Sequence, residues 1–162
     1  MSLKEKFKNM VLEMYQPKPI VAYLIGSVLD VMSTYIVVKK FTLESETNVI
    51  AREILYRLGE EASIIPLYCI AISYIPTIYA ISKVLSIDEW KKVYSSLLYG
   101  ISAGRFYASI NNLLLYFDIY YILEALEKIL NSLNVHLSTT QILATTVSGL
   151  VYFFYITRKN KK

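Results

Sequence analysis

Asp30, Ser33, Thr34, Glu46, Asn48 and Arg52 crowd into one short stretch, and Arg105 and Asn112 follow much later, each interrupting or flanking apolar chain. Carboxylate, amide and hydroxyl oxygens are the groups that hold a cation, while a guanidinium forks onto a carboxylate or an anionic headgroup. The same residues admit a second chemistry. Asp30 or Glu46 would take a proton as general base, and Arg105 or Arg52 would stabilise a developing anion. The usual hydrolytic companions are missing, since the sequence shows no His beside a Ser or Cys nucleophile, no phosphate-binding glycine loop and no dense metal-ligand cluster. Cys69 is the only cysteine and His136 the only histidine. An intrachain disulfide is therefore impossible, and zinc or haem sites of the common kinds lack ligands. His136 reads as a solvated loop residue, no cofactor is expected, and the residue types single out no metal.

The setting of these groups gives them their interest. The 162 residues are 55% hydrophobic with a mean hydropathy of +0.42, more apolar than an ordinary soluble domain. Four segments, 20–38, 62–85, 93–117 and 138–157, are long enough to cross ~30 Å of hydrocarbon at ~1.5 Å per residue. The first carries Asp30 and no small-residue cleavage site follows it, so it is expected to stay in the mature chain. No repeat or linker divides the sequence. The expectation is an all-α integral membrane protein, one polytopic domain over 1–162, built as a four-transmembrane-helix bundle.

Amphipathic helices are expected between and before the spans. Over 2–15, Leu3, Phe7, Met10, Val11 and Met14 recur at helical spacing opposite lysines, until Pro17 and Pro19 break the pattern. Over 48–58, Ile50, Ile54, Leu55 and Leu58 oppose Arg52, Glu53 and Arg57, and Gly59 is a natural terminator. A similar stripe through Ile122, Leu126, Ile129, Leu130 and Leu133 predicts a third, over 119–133. The last two would roof the outer face.

Within the spans the polar residues fall into stripes. Tyr23, Ser27, Asp30 and Thr34 share one helix side, as do Ser102, Arg105, Ser109, Asn112 and Tyr116, and as do Gln141, Thr145, Ser148, Tyr152 and Tyr155. Cys69, Ser73, Thr77 and Ala80 make a weaker stripe in the second span. Turned inward, these stripes predict a left-handed bundle with a polar interior, although single hydroxyls more often bond their own backbone. Asp30 and Arg105 lie at similar depth in parallel spans, so an ion pair is expected, whether structural or functional. A charge at the bilayer centre costs roughly 2.5–3.5 kcal/mol on insertion scales, and such groups also mark ion pathways and substrate sites.

The run from Asp30 to Arg52 resembles a family of small prokaryotic integral membrane proteins of no established activity. Its signature is Asp-x-x-Thr-Thr in a helix, then Glu-x-Asn-Pro and a nearby Arg. Asp30, Ser33 and Thr34 match the first part, Glu46 and Asn48 the second, and Arg52 the third; Ser33 stands in place of a Thr, and Val49 in place of the Pro that would help start a helix. The resemblance implies a shared fold and site and brings no mechanism with it.

Charge sets the expected orientation. Eleven of the Lys and Arg residues flank one set of span ends, in the N-terminal segment, at Lys83, Lys91 and Lys92, and in the tail, while Lys39, Lys40, Arg52, Arg57 and Lys128 lie on the other side among acidic residues. Both termini are then cytoplasmic in a cell-membrane protein, and the net charge of +4 reflects topology rather than nucleic-acid binding. The expected site is an outward-opening polar cavity with Asp30 and Arg105 as floor, Thr34 and Asn112 above, and Glu46, Asn48 and Arg52 as rim. The expected function is non-enzymatic: binding or passing a small polar solute or ion, or serving as a subunit of a membrane assembly. The alternative is a membrane-embedded lipid hydrolase or transferase. Membrane lipids are the expected partners, and Ser96, Gly100, Gly104 and Ala108 form a small-residue ridge open to a further subunit or a second copy.

Overall fold

A computed structural model describes residues 2–43, 46, 48–85, 88–119, 121, 124, 125, 128, 129, 132 and 137–159, with the side chains of 137–140 and 159 left aside. The expected helix over 119–133 falls largely outside these residues, as does His136. The described elements are all helical: α1 (Leu3–Met14), α2 (Pro17–Phe41), α3 (Val49–Leu58), α4 (Ile64–Leu85), α5 (Trp90–Tyr116) and α6 (Leu137–Lys159).

Local chemistry explains the boundaries. Ser2 and Glu5 form a reciprocal capping box at the start of α1, each side chain accepting from the other's backbone N–H. Pro17 occupies the first position of α2, where its missing N–H and fixed φ suit a helix start. The expected break at Pro17 is thus a junction, with α2 beginning at the proline itself. Asn48 caps α3 through Oδ1, which accepts from the N–H groups of Ile50 and Ala51 at 3.0 and 3.3 Å, and Gly59 closes that helix with φ +80°. At the end of α5, Asp118 adopts φ +58° while Lys40 reaches across to the Tyr116 carbonyl and to the Asp118 carboxylate at 2.7 Å. A cation there complements the negative end of the helix dipole.

Among the described residues two helices, α2 and α4, are long and apolar enough to cross a membrane. The packing is organised around α5, which lies along both α2 and α6; α4 touches α2 and α5 more lightly, and the main contact of α6 is with α5. Toward the α1 end the interior is tightly packed and aromatic. Tyr23, Ile78, Trp90, Tyr94 and Leu98 form one buried cluster, and Tyr79 meets Trp90 edge-on at 5.3 Å and 87°. Such ring pairs add about 0.5–1.5 kcal/mol beyond the area they bury. Glu13, at the end of α1, accepts from the Tyr79 hydroxyl at 2.7 Å and pairs with Lys83 at 2.9 Å, and the Lys83 ammonium lies 4.0 Å above the Trp90 ring.

The α5–α6 seam depends on missing side chains. A Cβ on Gly100 would stand 2.6 Å from the Thr145 carbonyl oxygen, Gly104 leaves room for the Thr145 hydroxyl, and Gly149 lies against the Ser96 carbonyl. The ridge expected to receive another subunit is therefore occupied, at Gly100 and Gly104, by α6 of the same chain, and Ala108 borders a cavity. Tyr152 of α6 packs against Tyr99 with ring centres 4.0 Å apart and the rings tilted by 48°.

One stripe falls elsewhere than expected. Cys69, Ser73, Thr77 and Ala80 face outward on α4, whose buried positions are Ala71, Ile78 and Ser82. The outward hydroxyls are satisfied locally, Ser73 donating to the Ile70 carbonyl and Thr77 to the Ser73 carbonyl, so neither needs a partner on a neighbouring helix. The same local bonding holds the buried hydroxyls of Ser27, Ser82, Ser102 and Ser109, each donating to the carbonyl four residues earlier.

Candidate functional site

The polar stripes of α2 and α5 meet, as their spacing predicts. Arg105 Nη1 donates to Asp30 Oδ2 at 3.1 Å, a separation of 75 residues along the chain. Arg105 Nη2 donates to the Tyr23 hydroxyl at 3.3 Å, and that hydroxyl donates onward to the Ala71 carbonyl of α4 at 2.7 Å. Tyr23 is fully buried, so the guanidinium is held from below by a wall of the aromatic core. The Asp30 and Arg105 side chains keep 27% and 16% of their exposure, enough to face a cavity without standing in bulk water. Arg105 Nε is buried and has no hydrogen-bond partner among the described residues.

About two turns beyond Arg105 on α5 and one turn beyond Asp30 on α2, Asn112 Nδ2 donates to Ser33 Oγ at 3.1 Å and to Thr34 Oγ1 at 3.3 Å, tying α5 to α2 a second time. Ser33 also donates to the Asp30 carbonyl. Beyond lies the segment leading into α3. Glu46 accepts from the Asn48 N–H at 2.6 Å, so its carboxylate and the Asn48 cap form one small turn. Asn48 thus has two roles, of which only the place at the rim was expected. Its Oδ1 is committed to starting α3, while the residue itself borders the cavity.

These elements border an open cavity of about 810 Å³ between α2, α3, α4 and α5, which Gln141 of α6 also lines. Of the seven residues expected to make the site, Asp30, Thr34, Glu46, Asn48, Arg105 and Asn112 all line it. Arg52 does not; it lies on α3 beside Thr42, Leu43, Glu53 and Tyr56, in a separate hollow. Its charged groups belong to α2, α5 and the Glu46 turn, apolar residues such as Val31, Val38, Ile101 and Leu115 line it from the same two helices, and α4 contributes Leu67, Ile70, Ala71 and Tyr74.

Sequence reasoning missed Tyr23 as the third member of the ion pair, although it lies in the Asp30 stripe. It also missed Tyr74, Tyr107 and Asn111, which line the cavity. Asn111 is adjacent to a residue already chosen and could have been found by widening the stripe by one position. Nothing in the spacing of α4 marks Tyr74. Gln141 was read as the start of a stripe and is in fact a tie, donating to the Gly104 carbonyl at 3.3 Å.

Among the described residues no three His, Cys, Asp or Glu side chains gather as metal ligands. The fold and site thus define a helical protein with a closed aromatic half and a hollow, partly charged half. Compared with protein-family models, with curated proteins and with solved structures, the chain matches none.

Proposed function

We propose that the chain is a non-enzymatic multi-pass membrane protein that binds a small polar or charged solute in the α2–α5 cavity. The convergence of six polar side chains on one cavity, in a chain that is 55% hydrophobic, carries the reading. In this reading α2, α4, α5 and α6 cross the bilayer, and the cavity opens on the outer face beneath α3. The length and apolarity of α2 and α4 support it directly. For α5 the support is burial: its Ser, Arg and Asn side chains turn onto its neighbours. For α6 it is the outward face, where Ile142, Leu143, Val147, Leu150, Val151 and Phe154 are all exposed. Unpaired apolar surface of that extent calls for cover by lipid or protein.

Helix α1 buries none of its residues and exposes Leu3, Phe7 and Val11, which suits an interfacial position with its lysines toward headgroups. The distribution of Lys and Arg puts both termini in the cytoplasm. The resemblance in the Asp30–Arg52 run fits the same picture, since Asn48 at the cap and Val49 at the first helical position stand where Asn-Pro would start a helix. Binding is favoured over conduction because the Tyr23, Ile78, Trp90, Tyr94 and Leu98 cluster fills the path to the cytoplasmic side.

Thiol labelling in intact cells tests the proposal. In a Cys69→Ser background, Val49→Cys on α3 and Thr34→Cys in the cavity should react with an impermeant reagent added outside, and Lys4→Cys only after permeabilisation. The reverse pattern would overturn the orientation. Protection of Thr34→Cys from both sides would overturn the outward-opening cavity.

A further inference from the structure

The meeting of α1 with α4, remote from the cavity, points to a second binding site. It rests on the reading that α2 and α4 cross a bilayer, which puts this end of α4 at headgroup depth. We propose that Tyr79, Lys83 and Lys91 form a site for the phosphate of an anionic lipid, that the Glu13 carboxylate occupies it in the lipid-free protein, and that lipid phosphate displaces Glu13 and releases α1 onto the membrane surface.

The donors converge on one atom. Glu13 Oε2 accepts from the Tyr79 hydroxyl at 2.7 Å and lies 2.9 Å from the Lys83 ammonium. Tyr79 packs against the aromatic core and meets Trp90 edge-on, which fixes the position of its hydroxyl. Lys83 stands over the Trp90 ring at 4.0 Å, and Lys91 stands over the same ring at 5.6 Å. Two ammoniums gathered on one ring repel each other, and an anion that meets both relieves the repulsion. Glu13 does this only in part. It meets Lys83 at ion-pair distance and attracts Lys91 from farther away, and Lys91 makes no ion pair among the described residues. Asp88 and Glu89, just before it in sequence, do not supply one; Glu89 meets Lys92.

A lipid phosphodiester suits these groups better than a carboxylate. It carries the same single charge, and its tetrahedral oxygens can meet Tyr79 and Lys83 and reach Lys91 as well. Lysines and a tryptophan at the end of a spanning helix lie where headgroups lie, and basic sites there are a general mode of anionic-lipid binding. Glu13 is also a replaceable occupant. Helix α1 buries none of its residues and forms no substantial contact with another helix among the described residues. Two extended residues, Tyr15 and Gln16, join it to α2. Glu13 and Lys83 both stay partly exposed, so a headgroup can reach them. Once released, α1 presents Leu3, Phe7 and Val11 to the bilayer, while Lys4, Lys6 and Lys8 complement its anionic surface.

Short-chain phosphatidylglycerol, titrated into the purified full chain in mild detergent, tests the site. Trp90, the single tryptophan, reports on Lys83 above its ring, and an environment-sensitive dye on Val11→Cys, in a Cys69→Ser background, reports on α1. Phosphatidylglycerol should change both signals saturably with one half-saturation concentration. Short-chain phosphatidylcholine, whose choline offsets its phosphate charge, should change neither. Glu13→Gln removes the competing charge and should lower the half-saturation read by Trp90 roughly two- to fivefold, the scale of an exposed ion pair. Lys91→Gln leaves the Glu13 contacts with Tyr79 and Lys83 in place and should raise it about fivefold, the effect of one basic residue near an anionic surface. A half-saturation indifferent to either substitution, or an equal response to phosphatidylcholine, would overturn the site. An equal response to inorganic phosphate would overturn its assignment to lipid, and a Trp90 response with a silent dye would overturn the release of α1. The titration does not depend on sidedness: its failure leaves the thiol-labelling result standing, and a reversed labelling pattern leaves the site standing.

Discussion

Replacing Asp30 by Asn removes the charge that faces Arg105 and leaves the guanidinium against Tyr23 and the aromatic core. Stranding one partner of a fully buried pair typically costs about 3–5 kcal/mol. Here the Nη1–Oδ2 contact is 3.1 Å, but the pair borders a cavity and Arg105 keeps its bond to Tyr23. A loss of roughly 2–3 kcal/mol is therefore expected for Asp30→Asn, and about 3 kcal/mol for Arg105→Gln, which also gives up the Tyr23 contact. For a chain of this size ~1 kcal/mol shifts the melting temperature by about 2–4 °C, so each single variant should melt roughly 5–10 °C lower. The two residues share one contact, so the double variant should lose only about 3–4 kcal/mol, a coupling of ~2 kcal/mol. Thermal unfolding in detergent, followed by the fluorescence of Trp90, the single tryptophan, measures all four corners of the cycle. Losses that simply add would show that the charges do not meet, and the site would lose its floor.

Three further outcomes are expected. Gly100→Ala should destabilise the protein by about 1–3 kcal/mol, because its Cβ would crowd the Thr145 carbonyl and force α6 from α5; a melting curve checks this, and an unchanged one would refute the seam. Asn48→Ala should cost about 1 kcal/mol through the lost α3 cap, and Asn48→Ser should restore most of it in the same assay. The hydrogen bonds from Tyr79 and Lys83 hold the Glu13 carboxyl below its ordinary 4.5, so the tie between α1 and α4 should be complete above that pH and be lost as pH falls through the lowered value. Trp90 fluorescence should report the release, because Lys83 lies over its ring, and Glu13→Gln should show the released signal already at neutral pH.

The sequence made the site legible where charge and spacing worked together. Asp30 and Arg105 are costly enough in apolar chain to demand a partner, and their matching depth named it. Asn112 followed because it repeats the Arg105 stripe by one heptad. The cap role of Asn48 was not drawn from the sequence, although an amide placed just before an amphipathic run is the signal that carries it. Arg52 was misplaced for a physical reason: a cap fixes where α3 starts but not how it is rotated, and the rotation put Arg52 in a different hollow. The outward face of α4 misled because Ser73 and Thr77 meet their own backbone carbonyls, which lets a polar stripe exist without a polar neighbour. Tyr74 became legible only with the standing-off of α4 from α5, a property of three helices together. The small-residue ridge of α5 was recognised as a close-approach surface, while its occupant, α6, depends on Gly149 and Thr145 meeting it from the other side.

The distance along the chain between Asp30 and Arg105 has a consequence for how the protein is made. On the proposed reading, α2 enters the bilayer while the ribosome still has 75 residues to add before the matching guanidinium exists. At ~5–20 residues per second that wait is roughly 4–15 s, long against helix formation and lateral diffusion. Through it, Asp30 lacks Arg105 and α2 lacks the Asn112 tie, so only the apolar length of α2 and its contact with α4, which includes the Tyr23 to Ala71 hydrogen bond, keep the helix from slipping back. Lengthening the α2–α5 interval with a neutral insertion, or slowing translation between them, should increase the fraction of nascent chains surrendered to membrane proteases, and Asp30→Asn should relieve that early loss even as it weakens the finished fold.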